Sequence, residues 1–553
     1  MHRNLLPILV LLVVLSGCRG TLQLTPSDAE TVLSRQLLDA PHPAQPGPYE
    51  VRALYYGSGD DRHRPEYRDS VTIVTPTVDA SELVDLGDDA DEREDYWGFD
   101  SDEYPLNGRV WYPAGDGPFP VVLIAHGNHD MKDFSDPGYE YLGRLLASRG
   151  YILASLDMNF VNGGIRGEND ARGWLFLKHL EQWREWNRTE GNPFEGKLDL
   201  ENVALIGHSR GGEAVGHAAA FNTLSHYPDN ALLDFDFGFG IQSIIAIAPV
   251  DQQYMPTDRG VPVENVDYLV MHGSHDGDVT SFHGLRQYDR VSFTDSQPHL
   301  KAAVYVYRAN HGQWNTTWGA HDNGPRSGRI LDLRALMPGE EQREVAEIYI
   351  SAFLDVTLMN NDRYLPIFRD HRVIGHWLPK TMYITRFQTN SFRPLVNFEE
   401  DIDVTTGTAP GVVMDGDSLA TWSEGELQLR SSNEQFGSAT QDNQAVWIGW
   451  NNQIAGTDTT GVPAAFTLTL PESLPTRWGI DENGSLSFLL APTKDVPDPR
   501  EPPTDSSANE DTNAGESQDE REDDDDADDL PPIDLSIQVT DAAGVTASLP
   551  LHR

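Results

Sequence analysis

A serine, a histidine and several carboxylates occur in an order along the chain that could support acyl transfer. Ser209 comes first, the acidic residues Asp251, Asp276 and Asp278 follow, and His311 comes last. A serine hydroxyl attacks a carbonyl carbon when a neighbouring base removes its proton, and histidine is the usual base near neutral pH. A carboxylate on the other side of the imidazole orients that base. We therefore predict Ser209 as nucleophile and His311 as base, oriented by one of these acids.

The residues around Ser209 strengthen this prediction. Gly207-His208-Ser209-Arg210-Gly211 matches G-x-S-x-G, with the apolar run Val203 to Ile206 before it and an alanine-rich segment after it. A buried strand, a sharp turn and a helix in succession lift the serine hydroxyl above the edge of a sheet, because glycines permit the turn. The backbone N–H of Arg210 would then face the oxyanion that forms during acyl transfer.

The acid and the base are expected in loops at the ends of later strands. Leu269 to Met271 runs into an acidic loop with Asp276 and its near alternative Asp278, whereas Asp251 follows the previous strand and is a remote alternative. Ala302 to Tyr307 runs into His311, which a glycine follows. The spacing leaves room for one strand–helix unit between successive members, so the loops can meet at one edge of a parallel sheet.

A second oxyanion donor is predicted upstream of the serine. The buried strand Val121 to Ala125 ends in His126-Gly127-Asn128-His129-Asp130. Ligands bind at the carboxyl ends of strands in such sheets, and Gly127 lies directly at that end. We predict that the amide of Asn128 joins the N–H of Arg210 in the oxyanion hole.

The elements that position these residues alternate between strand and helix. Continuous apolar runs of four to six residues are typical of strands that are covered on both faces, and the spacing between them indicates helices. This alternation predicts an α/β fold with a doubly wound, mostly parallel sheet. The predicted strands are Val121–Ala125, Tyr151–Ala154, Val203–Ile206, Ser243–Ala248, Tyr268–Met271 and Ala302–Tyr307, with helices at Tyr139–Arg149, Ala171–Trp186 and Glu344–Leu358.

The pattern changes near residue 390. We predict a catalytic domain over residues 49–390 and an accessory domain over 391–553, in which short alternating runs separated by turn residues favour an antiparallel β-sandwich. Residues 495–532 form a low-complexity acidic tract that should be disordered, with cation binding as the alternative. Another acidic stretch, residues 85–102, is expected to be a surface insertion.

The N-terminus is typical of an exported protein. Arg3 precedes the apolar run Leu5 to Leu15, which is short for a membrane span. The run ends in Leu15-Ser16-Gly17-Cys18, which resembles the lipobox of bacterial lipoproteins and implies lipidation of Cys18, the only cysteine in the chain. We predict a signal peptide over residues 1–18, a proline-rich tether over 19–48, and a membrane-anchored lipoprotein in the periplasm, outer membrane or cell surface. The alternative is an ordinary signal peptide.

Composition excludes several classes of partner and cofactor. The chain of 553 residues has 87 Asp and Glu against 40 Lys and Arg, a formal net charge of −47 that would repel nucleic acid. The sequence contains no P-loop, dinucleotide glycine fingerprint, HExxH motif or cysteine-based metal site. We therefore predict no metal and no organic cofactor.

The motifs resemble α/β hydrolases, specifically the branch containing chlorophyllase, platelet-activating-factor acetylhydrolase and the cutinase-like polyester hydrolases. The resemblance rests on Pro120 to Gly127, Gly207 to Gly212 and Asn310-His311-Gly312. The loop with Asp276 is similar to the G-x-x-D-x-x-V segment in which many α/β hydrolases carry the acid, and the resemblance places Asp276 at that position. It implies hydrolysis of small-molecule or polymeric carboxylic esters without a metal.

Departures from the familiar members leave the substrate open. Carbohydrate esterases that cleave glucuronate esters also carry an arginine after the nucleophile, so the resemblance suggests a contact between Arg210 and an anionic or sugar-linked acyl group. Trp314 and Trp318 are candidates for the cleft or for the core. The accessory domain resembles domains that bind carbohydrate or that simply shield the enzyme. The alternative functions are a peptidase or amidase with the same triad, and a non-catalytic surface binding protein.

Overall fold

The computed structural model describes residues 37–165, 167–322, 332–428, 440–450, 463–480, 484, 486–491, 493 and 534–552. The predicted signal peptide, Cys18 and the tract 495–532 lie outside the described residues. The chain divides into two compact units, Met1–Ser391 and Phe392–Arg553. Within the described ranges, no helix combines the length and apolar character that a membrane span requires.

A ten-stranded sheet organises the first unit. Its strands are β1 Val51–Gly57, β2 Ile73–Val74, β3 Gly108–Pro113, β4 Phe119–Ala125, β5 Ile152–Leu156, β6 Leu198–His208, β7 Ile241–Ile247, β8 Asp267–Gly273, β9 Leu300–Val306 and β10 Tyr383–Thr389. Their order across the sheet is β10-β9-β8-β7-β6-β4-β5-β3-β1-β2. The six strands from β4 to β9 pair in parallel, while β3 and β10 run antiparallel to their parallel neighbours β5 and β9. This is the mostly parallel α/β-hydrolase fold that the sequence predicted.

Apolar cores lie on both faces of this sheet. Alternate residues of β4 point to opposite faces, so Val121 and Leu123 belong to one core and Val122 and Ile124 to the other. The helices of this unit are α1 Ala90–Trp97, α2 Glu140–Ser148, α3 Asn169–Arg188, α4 Arg210–Phe221, α5 Gly284–Arg290, α6 Gly339–Thr357 and α7 Leu365–Arg369. Three short strand pairs complete it: Thr77–Val78 with Tyr104–Pro105, His226–Tyr227 with Asn230–Asp234, and Val263–Glu264 with Val291–Ser292.

The end of the predicted tether is folded against the first unit. The N–H of Leu38 donates to the carbonyl oxygen of Val373 at 3.0 Å. The N–H of Gly47 donates to the hydroxyl of Ser148 at 2.9 Å. The prediction that the tether extends through residue 48 is therefore wrong for residues 37–48, since these backbone groups bond to the catalytic unit.

The acidic stretch over residues 85–102 is also part of the folded unit rather than a simple surface insertion. Helix α1 lies within it and buries Trp97 and Arg93. The Arg93 guanidinium donates to the carbonyl oxygens of Phe160 and Asn162 at 2.5 and 2.6 Å. The stretch thereby fixes the loop after β5, which borders the Asn128 loop.

The second unit contains antiparallel strands, as predicted. Among its described residues these strands form three separate pairs rather than two packed sheets, so the β-sandwich stays a prediction. The pairs are β11 Val413–Asp417 with β14 Ala465–Thr469, β12 Thr421–Gln428 with β13 Thr440–Gly449, and β15 Asp534–Thr540 with β16 Thr546–His552; helix α8 is Leu474–Trp478.

Candidate active site

Ser209 occupies a strained turn between β6 and α4. Its φ of 59° and ψ of −121° are rare for a residue with a side chain, and such strain is concentrated at functional sites. A Cβ on Gly207 would lie 2.6 Å from the N of Gly212, so only glycine fits there. The Ser209 N–H donates to the carbonyl oxygen of Ile247 at 2.9 Å and anchors the turn to β7. The local geometry is the strand–turn–helix predicted around the serine.

Asp276 and His311 are joined by a buried hydrogen bond. The Nδ1 atom of His311 lies 2.8 Å from Oδ2 of Asp276, and both side chains are almost fully buried. The other carboxylate oxygen accepts the N–H groups of Asp278 at 3.0 Å and Val279 at 2.7 Å. Burial alone would raise the pKa of Asp276, but the His311 imidazole and these hydrogen bonds hold the pKa below its ordinary value. The Asp276 carboxylate therefore lies where it can orient the His311 imidazole.

The two alternative acids occupy different positions. The Asp278 carboxylate lies 3.5 Å from Nε2 of His311, on the side opposite the Asp276 contact, and its side chain is 48% exposed. Asp251 forms a salt bridge with Arg290. Of the three candidate acids, Asp276 is the one that binds Nδ1 of His311.

Several carboxylates lie near the His311 imidazole. Burial alone would lower its pKa, but the carboxylates of Asp276, Asp278 and Asp322 outweigh that effect and raise the pKa of His311 to about 9. Its Nε2 atom is buried and has no hydrogen-bond partner among the described residues, so no Ser209–His311 hydrogen bond is formed in this structure. Such bonds are often long before substrate binds. Such a pKa favours the protonated imidazole near neutral pH, so a role as general base would require its deprotonation.

The Asn128 loop packs directly on the serine. A Cβ on Gly127 would overlap Ser209 Cβ and lie 2.9 Å from its Oγ. The Oδ1 atom of Asn128 accepts the N–H of Gly163 at 2.7 Å, which fixes the loop on its outer side. The N–H of Arg210 is the first of helix α4 and has no acceptor within that helix. The structure thus brings the Asn128 loop and the first N–H of α4 next to the serine, and the role of the two amides as oxyanion donors stays a prediction.

His126 holds this loop in place through both ring nitrogens. Nδ1 donates to the carbonyl oxygen of Gly127 at 2.8 Å, and Nε2 accepts the N–H of Met158 at 3.0 Å. Burial and the nearby Arg172 guanidinium lower the pKa of His126 to about 4, so the ring is neutral and can play both roles. Sequence reasoning named the loop but assigned no role to this imidazole.

The Arg210 side chain is bound to the protein itself. Its Nη1 atom donates to the Glu168 carboxylate at 2.5 Å and to the carbonyl oxygen of Ile165 at 3.0 Å. Glu168 is almost fully buried and is also paired with Arg172 at 3.3 Å. The Arg210 side chain is 18% exposed. In this arrangement it connects the serine turn to the chain preceding α3.

Two aromatic side chains border His311: His208, to which sequence reasoning assigned no role, and Trp318, which it left as a candidate for the cleft or the core. The His208 imidazole lies 3.0 Å from the His311 carbonyl oxygen through Nε2 and 3.0 Å from the Tyr139 hydroxyl through Nδ1. Burial and the charge of His311 lower the pKa of His208 well below its ordinary value. The Trp318 ring is parallel to the His311 ring, with their centroids 5.9 Å apart. The centroids of the Trp318 and His208 rings are 4.4 Å apart. Trp314, by contrast, is fully buried in the core.

Over the described ranges, no group of three or more His, Cys, Asp and Glu side chains is arranged to hold a metal ion. The family model for chlorophyllases matches residues 100–262, which include the Asn128 loop and Ser209 but not Asp276 or His311. The match supports the resemblance to that branch and a hydrolase of the α/β type. No curated protein matches the chain.

Proposed function

We propose that this protein is a serine hydrolase that cleaves carboxylic esters, with Ser209, His311 and Asp276 as its catalytic triad. The observation that carries the proposal is the buried His311–Asp276 hydrogen bond, formed between the loops that follow β8 and β9. The carbonyl oxygen of His311 contacts His208, the residue before the strained Ser209. The chlorophyllase-family match over residues 100–262 supports the same reaction class.

The proposed chemistry passes through an acyl-enzyme. The neutral Nε2 of His311 takes the Ser209 proton as Oγ bonds to the carbonyl carbon, and the N–H groups of Asn128 and Arg210 stabilise the oxyanion. Helix α4 adds the positive end of its dipole at that point. The intermediate then expels the alcohol, which His311 protonates. Water repeats the sequence to release the acid and free Ser209.

Asp276 supports the base throughout this cycle. Its carboxylate lies 2.8 Å from Nδ1 of His311 and, in the proposed cycle, keeps the proton on that atom, which leaves Nε2 to accept the proton of Ser209. It also stabilises the imidazolium formed when Ser209 loses its proton.

An ester-and-amide comparison tests the proposal. Purified protein should hydrolyse a short-chain p-nitrophenyl ester, and the Ser209→Ala variant should lose that activity. The matching p-nitroanilide measures amide cleavage. Faster anilide than ester hydrolysis would favour a peptidase or amidase. The absence of both activities would favour a non-catalytic binding protein.

We also propose that the enzyme is exported and anchored by lipid at Cys18. The sequence Leu15-Ser16-Gly17-Cys18 after the apolar run Leu5 to Leu15 supports this. Two acyl chains would hold the protein at a bilayer firmly, whereas one would bind marginally. In cells that express the protein, metabolic labelling with an alkyne fatty acid should label the wild type and should not label the Cys18→Ala variant. Equal labelling of both would contradict the anchor site.

A further inference from the structure

The carboxylate of Asp322 accepts hydrogen bonds from two separate catalytic loops. Its Oδ2 atom accepts the N–H of Gly277 at 2.9 Å and the N–H of His311 at 3.0 Å. Its Oδ1 atom accepts the N–H of Gly312 at 2.9 Å and the Asn310 side-chain amide at 2.6 Å. Four donors thus converge on one side chain.

One of these donors is the N–H of His311 itself, and the other three belong to residues next to the triad members. Gly277 directly follows Asp276, and Asn310 and Gly312 flank His311. Asp322 therefore bridges the acid loop and the base loop close to the triad. A carboxylate suits this position, because it offers two acceptor oxygens and no donor.

The base loop is held from its other side by helix α6. Gln342 accepts the Asn310 N–H at 3.1 Å and donates to the Asn310 carbonyl oxygen at 2.8 Å. These bonds attach the base loop to α6 and do not involve the acid loop.

Farther from the triad, the two loops are joined by the N–H of His275 to the carbonyl oxygen of Ala309 and by the N–H of Arg308 to the hydroxyl of Ser274, both at 2.9 Å. Asp322 joins them at the residues next to Asp276 and at His311 itself.

We propose that Asp322 is a positioning residue of the triad, whose carboxylate fixes the acid loop against the base loop and so sets the His311–Asp276 hydrogen bond. The proposal rests on the proposed serine-hydrolase function. It predicts that loss of Asp322 lowers kcat more than it changes KM, because a displaced base impairs proton transfer rather than substrate binding.

Asp322 also acts on His311 through its charge. The carboxylates facing His311 are Asp276, Asp278 and Asp322, and the nearby imidazoles are His129, His208 and His272. Since the Asp322 carboxylate helps to raise the pKa of His311, its removal should move the acid limb of kcat/KM to lower pH. Asp278→Asn should shift that limb in the same direction without disturbing the backbone bridge.

Two variants and one control test the proposal. Asp322→Asn keeps one acceptor oxygen and Asp322→Ala keeps none, so kcat above the acid limb should fall about 10-fold in the first and about 100-fold or more in the second. The control is Asp332→Asn, since Asp332 is 57% exposed and paired with Arg334. Circular dichroism checks that each variant is folded; if the alanine variant does not fold, the asparagine variant carries the test.

A measurement without substrate separates this proposal from the proposed function. In wild type and Asp332→Asn, the His311 Nδ1 proton should give a far-downfield ¹H NMR resonance that Asp276→Asn abolishes. In the Asp322 variants this resonance should broaden or move upfield. A wild-type resonance, kcat and acid limb in folded Asp322→Asn would overturn the positioning role. If Asp322→Asn alters the resonance but wild type hydrolyses no ester or amide, the structural bridge stands and the proposed function fails.

Discussion

The Nδ1 atom of His311 lies 2.8 Å from Oδ2 of Asp276, although 35 positions separate the two residues in the chain. Strands β8 and β9 pair in parallel, so the loops at their carboxyl ends meet at one edge of the sheet. Ser209 reaches the same edge at the end of β6. The sheet topology thus gathers the three residues, and local bonds then set the orientation of each.

Replacing Asp276 should remove the orientation of the base. We expect Asp276→Asn to lower kcat by roughly 10³-fold to 10⁴-fold, because an amide facing Nδ1 favours the wrong tautomer of the imidazole. Steady-state ester hydrolysis measures the loss. Asp251→Asn is the matched control, and it should affect stability through the Arg290 salt bridge while kcat of the folded enzyme is retained. A larger loss in Asp251→Asn or Asp278→Asn would show that the acid has been misassigned.

The pH profile should report the acidic surroundings of His311. Since its pKa is raised to about 9 in the folded protein, His311 is protonated at lower pH and kcat/KM should rise through the mildly alkaline range. Asp278→Asn should move this limb to lower pH, because one of the charges that stabilise the imidazolium is gone. An acid limb at the ordinary histidine pKa, unchanged by Asp278→Asn, would contradict this electrostatic account.

The raised pKa of His311 also affects the free energy of unfolding. A raised pKa in the folded state stabilises the protein below the unfolded pKa of histidine, and that contribution is lost as pH rises through the folded value. Wild type should therefore lose more stability than His311→Gln between pH 7 and 10. Denaturant unfolding at the two pH values measures the difference, and equal losses in both proteins would argue against the shift.

Gly127→Ala should block the site while the sheet remains folded. The added Cβ would overlap Ser209 Cβ and lie 2.8 Å from the carbonyl oxygen of His208, so the Asn128 loop must move away from the serine. We expect kcat to fall at least 10²-fold, because the loss of one oxyanion donor has about that effect. Kinetic assays with a circular dichroism check measure it. Near-wild-type kcat in Gly127→Ala would show that this loop contributes no donor.

Arg210→Met distinguishes two roles for the arginine. If its guanidinium holds Glu168 and Ile165, as its hydrogen bonds indicate, the variant should lose activity to a similar extent on neutral and anionic esters. The backbone N–H of residue 210 remains available to the oxyanion in either case. A selective loss on anionic acyl groups would support the substrate contact that the sequence resemblance suggested.

The parallel core of the fold could be predicted from the sequence because each buried strand is a continuous apolar run. Strand β10 was missed, since Tyr383–Thr389 is an edge strand with polar residues and an Ile384 side chain that is 58% exposed. Helix α1 was also missed, for a different reason. It is held by buried Arg93, whose partners are backbone carbonyls that no sequence pattern reveals.

The members of the proposed triad could be predicted from the sequence because each follows a strand in a fixed order. Their supports could not. Asp322 carries no motif, and its role becomes visible only when the loops with Gly277 and His311 converge on it. His208 stands within the serine motif, but its bond to the His311 carbonyl oxygen depends on tertiary structure.

Covalent labelling of Ser209 tests the central claim most directly. A fluorophosphonate should react with wild type, and mass spectrometry of the digested protein should locate the adduct on the peptide containing Ser209. Labelling should be absent in Ser209→Ala and strongly reduced in Asp276→Asn. An adduct on another residue, or an ester-hydrolysing protein that carries no adduct at Ser209, would contradict the account.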